Sequence, residues 1–185
     1  ETIGIIPCVE GSSYAVLVAE QLFVSGCRLL ISITSAGIIK EQSNSNRFAL
    51  ITNAIRDEGT SYHYLPPGQP SILSAGLFQV LHSHSLKSQC PSFEGSSWTT
   101  DAPYSETKRS MENRKHENIR CVEMEEAALY AVSAVKKYNM ICFAHLTNSM
   151  DQTKGDFEKG EEFGSLDSLN LIRFILQIPE LKTSR

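Results

Sequence analysis

The sequence predicts one α/β domain built on a mainly parallel or mixed central sheet, and three observations carry that prediction. Short apolar runs of strand length alternate with amphipathic helical stretches along the chain. Polar clusters rich in Ser, Thr and Gly fall where several of those apolar runs stop. With 185 residues, 41% hydrophobic and 21% charged, the chain has the length of a single domain and enough apolar material for a proper core.

Residues 3–8 read as a first strand, and Gly11-Ser12-Ser13 as a turn with a helix cap. Residues 14–25 are helical, with Ala15, Val18, Leu22 and Phe23 near one face, and Gly26 ends the helix. Residues 28–33 form a buried-type strand that runs into a polar turn, Thr34-Ser35-Ala36-Gly37. Strand, helix and strand in that order make the first two strands parallel neighbours under the right-handed crossover rule. Residues 48–55 are a further strand, followed by the loop 56–64 and a break at Pro66-Pro67-Gly68-Gln69-Pro70. Residues 74–85 read as a helix, 96–101 as a polar stretch and 106–115 as a charged helix. The strand 119–122, a helix to Tyr138, the strand 140–146 and a last helix at 165–177 complete the chain, without internal repeat or linker.

A net charge of -4 argues against a nucleic-acid groove or an anionic membrane surface as partner. No apolar run reaches the roughly 18 residues that span a bilayer, and no charged-then-apolar leader opens the chain, so the cytoplasm is the expected location. The cysteines at 8, 27, 90, 121 and 142 lack the spacings that metal sites use; they read as small buried hydrophobes in a reducing compartment, and no metal is expected. The chain starts at Glu1-Thr2 without a Met, so residues 1–185 are expected to be a domain that is truncated or processed at its N-terminus.

The most informative stretch is Glu123-Met124-Glu125, at the mouth of an Ala-rich helix. Acids in a first helical turn are favoured by the macrodipole, which suffices for Glu125 and Glu126. It does not explain a Met between two acids at the end of a strand, the place where open α/β sheets collect ligands. Thr34-Ser35-Ala36-Gly37 offers hydroxyls and a bare backbone to an oxyanion. The 56–64 loop combines Arg56, able to grip a phosphate or a ribose, with hydroxyls and His63. Trp98 to Tyr104 brings aromatic faces for a planar base, with Asp101 as a brace, although Trp98 serves equally well as core. The strand 142–146 ends at Thr147-Asn148, where Asn148 offers an amide to a ring edge.

Five segments, ISITSAG, AIRDEGTSYHYLPP, SSWTTDAPY, CVEMEEAALYA and HLTNSM, occur in this order. Their order and approximate spacing resemble the nucleoside phosphorylase and nucleosidase superfamily, which includes uridine phosphorylase, hexameric purine nucleoside phosphorylase and methylthioadenosine nucleosidase. The resemblance runs from about residue 3 to about residue 177, and its most specific piece is the Glu-Met-Glu segment. It implies a three-layer α/β/α fold with a central mixed, mainly parallel sheet. It also implies cleavage of a nucleoside's N-glycosidic bond by phosphate, which gives the free base and ribose 1-phosphate without cofactor or metal.

Carried over by position, the resemblance makes Glu123, Met124 and Glu125 the ribose contacts, with Glu125 the catalytic choice. A carboxylate suits a cis-diol because its two oxygens accept two hydroxyl protons at once. Thr34, Ser35 and Gly37, with Arg56, fall at the phosphate; Pro103, Tyr104, Arg109 and Asn148 fall at the base. Relatives assemble as dimers or as hexamers of dimers, and His63 is the intersubunit candidate.

Purine-specific relatives use an Asp where Asn148 stands here, and an amide cannot donate a proton as an acid, so the resemblance disfavours a purine and leans to a pyrimidine or an unusual base. The Gly-rich, Arg-containing loop that relatives carry early in the chain has no counterpart before Ile3, and Ser32 and Ser105 stand where arginines are common. Those departures leave two alternatives, a weakened or inactive nucleoside-binding relative and a hydrolytic nucleosidase.

Overall fold

The computed structural model describes residues 3–40, 48–84, 92–149 and 164–183. In chain order they form α1 (Ser12–Val24), β1 (Leu30–Ile38), β2 (Phe48–Asp57), a 3-10 turn at Thr60–His63, β3 (Ser71–Ile72) and α2 (Ala75–Ser83). Next come β4 (Ser92–Thr100), a 3-10 turn at Pro103–Ser105, α3 (Lys108–His116), β5 (Cys121–Glu123) and α4 (Glu126–Lys136). The chain then passes through β6 (Met140–Ser149), α5 (Ser165–Gln177) and α6 (Pro179–Thr183).

The strands make one mixed sheet in the order β3–β2–β4–β5–β1–β6. Its long joins are parallel: β2 with β4 from Phe48 opposite Ser92 to Asp57 opposite Thr100, and β1 with β6 from Leu30 opposite Met140 to Ile38 opposite Ser149. β4 is also parallel to β5. The antiparallel joins are short, Gly37 and Ile38 of β1 on β5, and the two residues of β3 on β2.

The sheet does not stay open. β6 curls back onto β2, antiparallel, with Phe48 opposite His145, Ala49 opposite Ala144 and Leu50 opposite Phe143. Accumulated strand twist allows such a ring, and closure satisfies backbone groups that an open edge would expose. The ring splits again one step further on, between Ile51 and Cys142. The Tyr130 hydroxyl stands there as a wedge, donating to the Ile51 carbonyl at 2.6 Å and accepting from the Cys142 amide at 3.1 Å.

α4 is buried along Glu126 to Ser133, and its Ala127, Ala128 and Ala131 let the helix approach the strands closely. It packs against α1, β2, β3, β4 and β6. α1 turns Ala15, Val16 and Ala19 inward, and Phe23 stacks on Tyr138 with ring centroids 4.1 Å apart. Leu171, Phe174 and Ile175 of α5 join the same core. A smaller cluster gathers Ile39, Trp98, Ile119 and Val122. Among the described residues no helix is long and apolar enough to cross a membrane.

The helices and strands follow the predicted order within a few residues, with four corrections. Residues 3–8 form no strand: Ile3, Ile5 and Ile6 are 56%, 74% and 46% exposed, and the parallel neighbour of β1 is β6 instead. An apolar run is only strand-like when another strand lies beside it. Thr34 to Gly37 are not a turn; they lie inside β1. The polar stretch 96–101 belongs mostly to β4, whose Ser97 and Thr99 are buried rather than solvated. Cys121 and Cys142 are buried as expected, but Cys27 is half-buried and Cys8 exposed; Cys90 lies outside the described residues.

Candidate active site

β5 ends at Glu123 and α4 begins at Glu126, so Met124 and Glu125 form a two-residue link in which a strand hands over to a helix. The first amides of a helix have no partner within it and attract an acceptor. Glu123 supplies one. Its carboxylate accepts from the Glu125 amide at 2.6 Å, from the Glu126 amide at 2.8 Å and from the Thr99 hydroxyl. The Thr99 oxygen in turn accepts from the Ala127 amide at 3.0 Å.

Burial raises the Glu123 pKa to about 7, and the Glu125 charge adds to the rise, while the Thr99 hydroxyl and the two amides oppose it. Glu126 is fully buried behind it, and neither its carboxyl oxygens nor the Ser97 hydroxyl closes a hydrogen bond among the described residues. Burial first, then the Glu123 charge, pushes the Glu126 pKa well above the ordinary carboxylate value; nearby Ser97 works the other way.

Glu125 has different company. Its Oε1 accepts from the Gly11 amide at 2.7 Å, and its Oε2 accepts from the Thr34 hydroxyl at 2.6 Å and the Met124 amide at 3.3 Å. The Ser12 hydroxyl donates to the Met124 carbonyl at 2.7 Å. The start of α1, the middle of β1 and the β5–α4 link thus meet at one carboxylate. A carboxylate offers about four acceptor positions, so protein donors leave room for a ligand hydroxyl.

The structure sorts the predicted residues. It brings Thr34, Met124 and Glu125 together and turns the Glu123 carboxylate to the α4 entrance, where every contact is with the protein's own donors. Ser35 is exposed one position along from Thr34, while Gly37 is buried and paired with both β5 and β6. The expected anion-cradling turn at Thr34, Ser35 and Gly37 is therefore corrected: the segment is strand, because β6 continues beside it.

Arg56 is held by its own loop. Its guanidinium donates to the Ser61 hydroxyl and to the carbonyls of Leu65, Pro66 and Gln69, and lies over the Tyr62 ring at 4.2 Å. That side chain fastens its own loop.

Pro103 and Tyr104 follow β4 at the end of the sheet where Thr99 meets Glu123, and Arg109 lies on α3; all three are exposed. Trp98 is core rather than a stacking platform, its indole N–H donating to Asp57 at 2.8 Å and Arg114 lying 5.1 Å from its ring. Asp101 accepts from the Gly59 amide at 2.8 Å and so ties the loops after β2 and β4 together. Asn148 pairs level with Gly37, and its side chain lies outside the described residues. His63 is exposed at the end of its 3-10 turn.

Gly11, Ser12 and Thr99 were not singled out from the sequence. Gly11 and Ser12 read there as an ordinary turn and cap, and no local pattern says which distant carboxylate a cap will meet.

The Phosphorylase superfamily model matches residues 2–178. No curated protein matches the sequence. Among solved structures, an AMP nucleosidase from Bacteroides thetaiotaomicron is similar over 95% of this chain and 71% of its own, with a TM-score of 0.71 and 22% identity. A purine nucleoside phosphorylase from Toxoplasma gondii, in complex with immucillin-H, is similar over 94% of this chain and 72% of its own, with a TM-score of 0.78 and 16% identity. At such identities the likeness is one of fold.

Proposed function

The chain belongs to the Phosphorylase superfamily, and from that membership and the geometry at Glu125 we propose that it cleaves the N-glycosidic bond of a nucleoside, with phosphate as attacking group and a pyrimidine as preferred base. The observation that carries this reading is the Glu125 carboxylate, held by Gly11, Thr34 and Met124 at a strand–helix junction with acceptor positions to spare.

In the proposed reaction Glu125 accepts from the sugar hydroxyls and Met124 packs on the sugar. As the C1′–N bond lengthens, the ribose gathers positive charge, and a fixed carboxylate beside it stabilises that charge more than it stabilises the ground state. Phosphate attacks C1′ beside Thr34 and Ser35, and the base departs with the bonding electron pair. Pro103, Tyr104 and Arg109 flank the base, and Asn148 gives it an amide rather than an acid, which favours a pyrimidine. Glu123 is a helix cap in this scheme, one step removed from the sugar. We place the protein in the cytoplasm as a homo-oligomer, with His63 toward a neighbouring subunit and no cofactor beyond the co-substrate phosphate.

One observation favours a second reading, hydrolysis. Arg56 is occupied within its own loop, the Thr34 hydroxyl donates to Glu125 and Gly37 is paired with both β5 and β6, so three of the four expected phosphate contacts already have protein partners. Water as the attacking group needs none of them.

The test is a panel of uridine, thymidine, inosine and adenosine, with and without phosphate, followed by base release. Uracil with ribose 1-phosphate supports phosphorolysis; release of free ribose without phosphate supports the second reading. Glu125→Ala should abolish release in either case, and absence of release from the whole panel overturns both.

A further inference from the structure

We propose that the first turn of α1 is the device that aims Glu125, with Ser12 as its positioning residue; the proposal rests on Glu125 being the sugar contact. A Glu side chain has three rotatable bonds, and a productive site must hold its groups within about 0.5 Å of the working geometry. Two consecutive residues at the start of α1, the N-cap Gly11 and the first helical residue Ser12, address that problem from both ends of Glu125. The peptide joining Met124 to Glu125 is pinned at its carbonyl by the Ser12 hydroxyl at 2.7 Å and at its N–H by Glu123 at 2.6 Å. At the far end of the same side chain, Oε1 takes the Gly11 amide at 2.7 Å. The backbone origin and the carboxylate of Glu125 are therefore both referred to one rigid turn.

The turn is itself referred to the helix that Glu125 introduces. α1 packs on α4 and buries Ala15, Val16 and Ala19, so the element that grips Glu125 is locked to the element that begins one residue after it. α1 has no side-chain cap and no acid in its first turn; the negative charge at its N-terminus comes from Glu125, 114 residues away. Gly11 adopts φ 84 while a Cβ there would meet nothing within 4 Å, so conformation rather than space requires the glycine. Ser12 is fully buried, and among the described residues its hydroxyl donates to the Met124 carbonyl. It acts on a sugar through Glu125.

The experiment is a double-mutant cycle read by calorimetric nucleoside binding and by kcat and KM for base release. Ser12→Ala should weaken nucleoside binding about tenfold, the scale of one buried hydrogen bond. In a Glu125→Gln background the same change should add less than about twofold, because the group it aims is already altered. Ser12→Cys fills similar space with a weak donor and should fall between wild type and Ala, which gives a readout even if Ala fails to fold. Equal losses in both backgrounds, or wild-type behaviour of both Ser12 variants, overturn the positioning role while leaving the enzyme reading intact. Wild-type protein that neither binds nor cleaves any nucleoside overturns the enzyme reading first, and the positioning role with it.

Discussion

Replacing Glu125 by Gln keeps the shape of the side chain and changes one oxygen into a donor. Gly11 presents a backbone N–H that cannot accept, so the amide oxygen must stay on the Gly11 side. The amide NH2 then faces Thr34, whose hydroxyl can rotate to accept, while the Met124 N–H is left pointing at a donor. The Thr34 bond reverses and the Met124 bond is lost, at about 1 kcal/mol each, so the fold should lose about 2 kcal/mol. For a chain of this size that corresponds to a fall of about 4–8 °C in Tm. The effect on ligand should be larger. One charge-assisted acceptor for a sugar hydroxyl disappears, worth about 1.5–3 kcal/mol, or roughly 10- to 150-fold in nucleoside affinity. Calorimetry with the best nucleoside of the panel, alongside a thermal melt, measures both numbers. A folded Gln variant that binds within twofold of wild type refutes Glu125 as the sugar contact.

Further outcomes follow from the same contacts. Tyr130→Phe removes the wedge between β2 and β6 and leaves the Ile51 carbonyl and the Cys142 amide unpaired, so urea melts should show a loss of about 2–4 kcal/mol; a change below about 0.5 kcal/mol contradicts the wedge. Arg56→Ala should expose the 58–69 loop to limited proteolysis while phosphate affinity stays within twofold, and a selective loss of phosphate would restore Arg56 to the anion site. The folded protein holds a proton on Glu126 above the ordinary pKa of 4.5, as does Glu123 up to about 7. Both carboxyls are protonated in folded and unfolded chains well below 4.5. As pH rises through 4.5 the unfolded chain ionises first, so stability from these groups declines, for Glu123 across the window 4.5 to 7. Glu126→Gln should therefore raise the urea midpoint at pH 8 and change it little at pH 4; an equal shift at both would show that Glu126 is not carrying the proton.

Much of the fold was legible because period and punctuation are local. The 165–177 helix agrees with α5 residue for residue, and the strand at 140 and the Ala-rich helix before it fall in place from their apolar spacing. The failures have one cause. Residues 3–8 look like a strand and 34–37 like a turn, yet strand pairing belongs to the neighbour, and β6 lies beside the second segment while none of the described strands lies beside the first. Ser97 and Thr99 look solvated because Ser and Thr usually are, but buried acids behind β4 give them their place.

The sequence by itself determined the α/β class, the order of helices α1 to α5 and of β1, β2, β5 and β6, the family motifs and the presence of three acids at one helix entrance. Which acid does what was decided only by the tertiary structure. Glu123, Glu125 and Glu126 are near-identical in local context, and each can cap a helix or bind a ligand. Their roles diverge because Thr99 and the α4 amides reach Glu123, Gly11 and Thr34 reach Glu125, and Glu126 is buried with only Ser97 nearby to oppose its protonation among the described residues. Those partners lie as far as 114 residues away in the chain, and hydrogen-bond geometry over such a span is fixed by how helices and strands pack, not by the residues on either side.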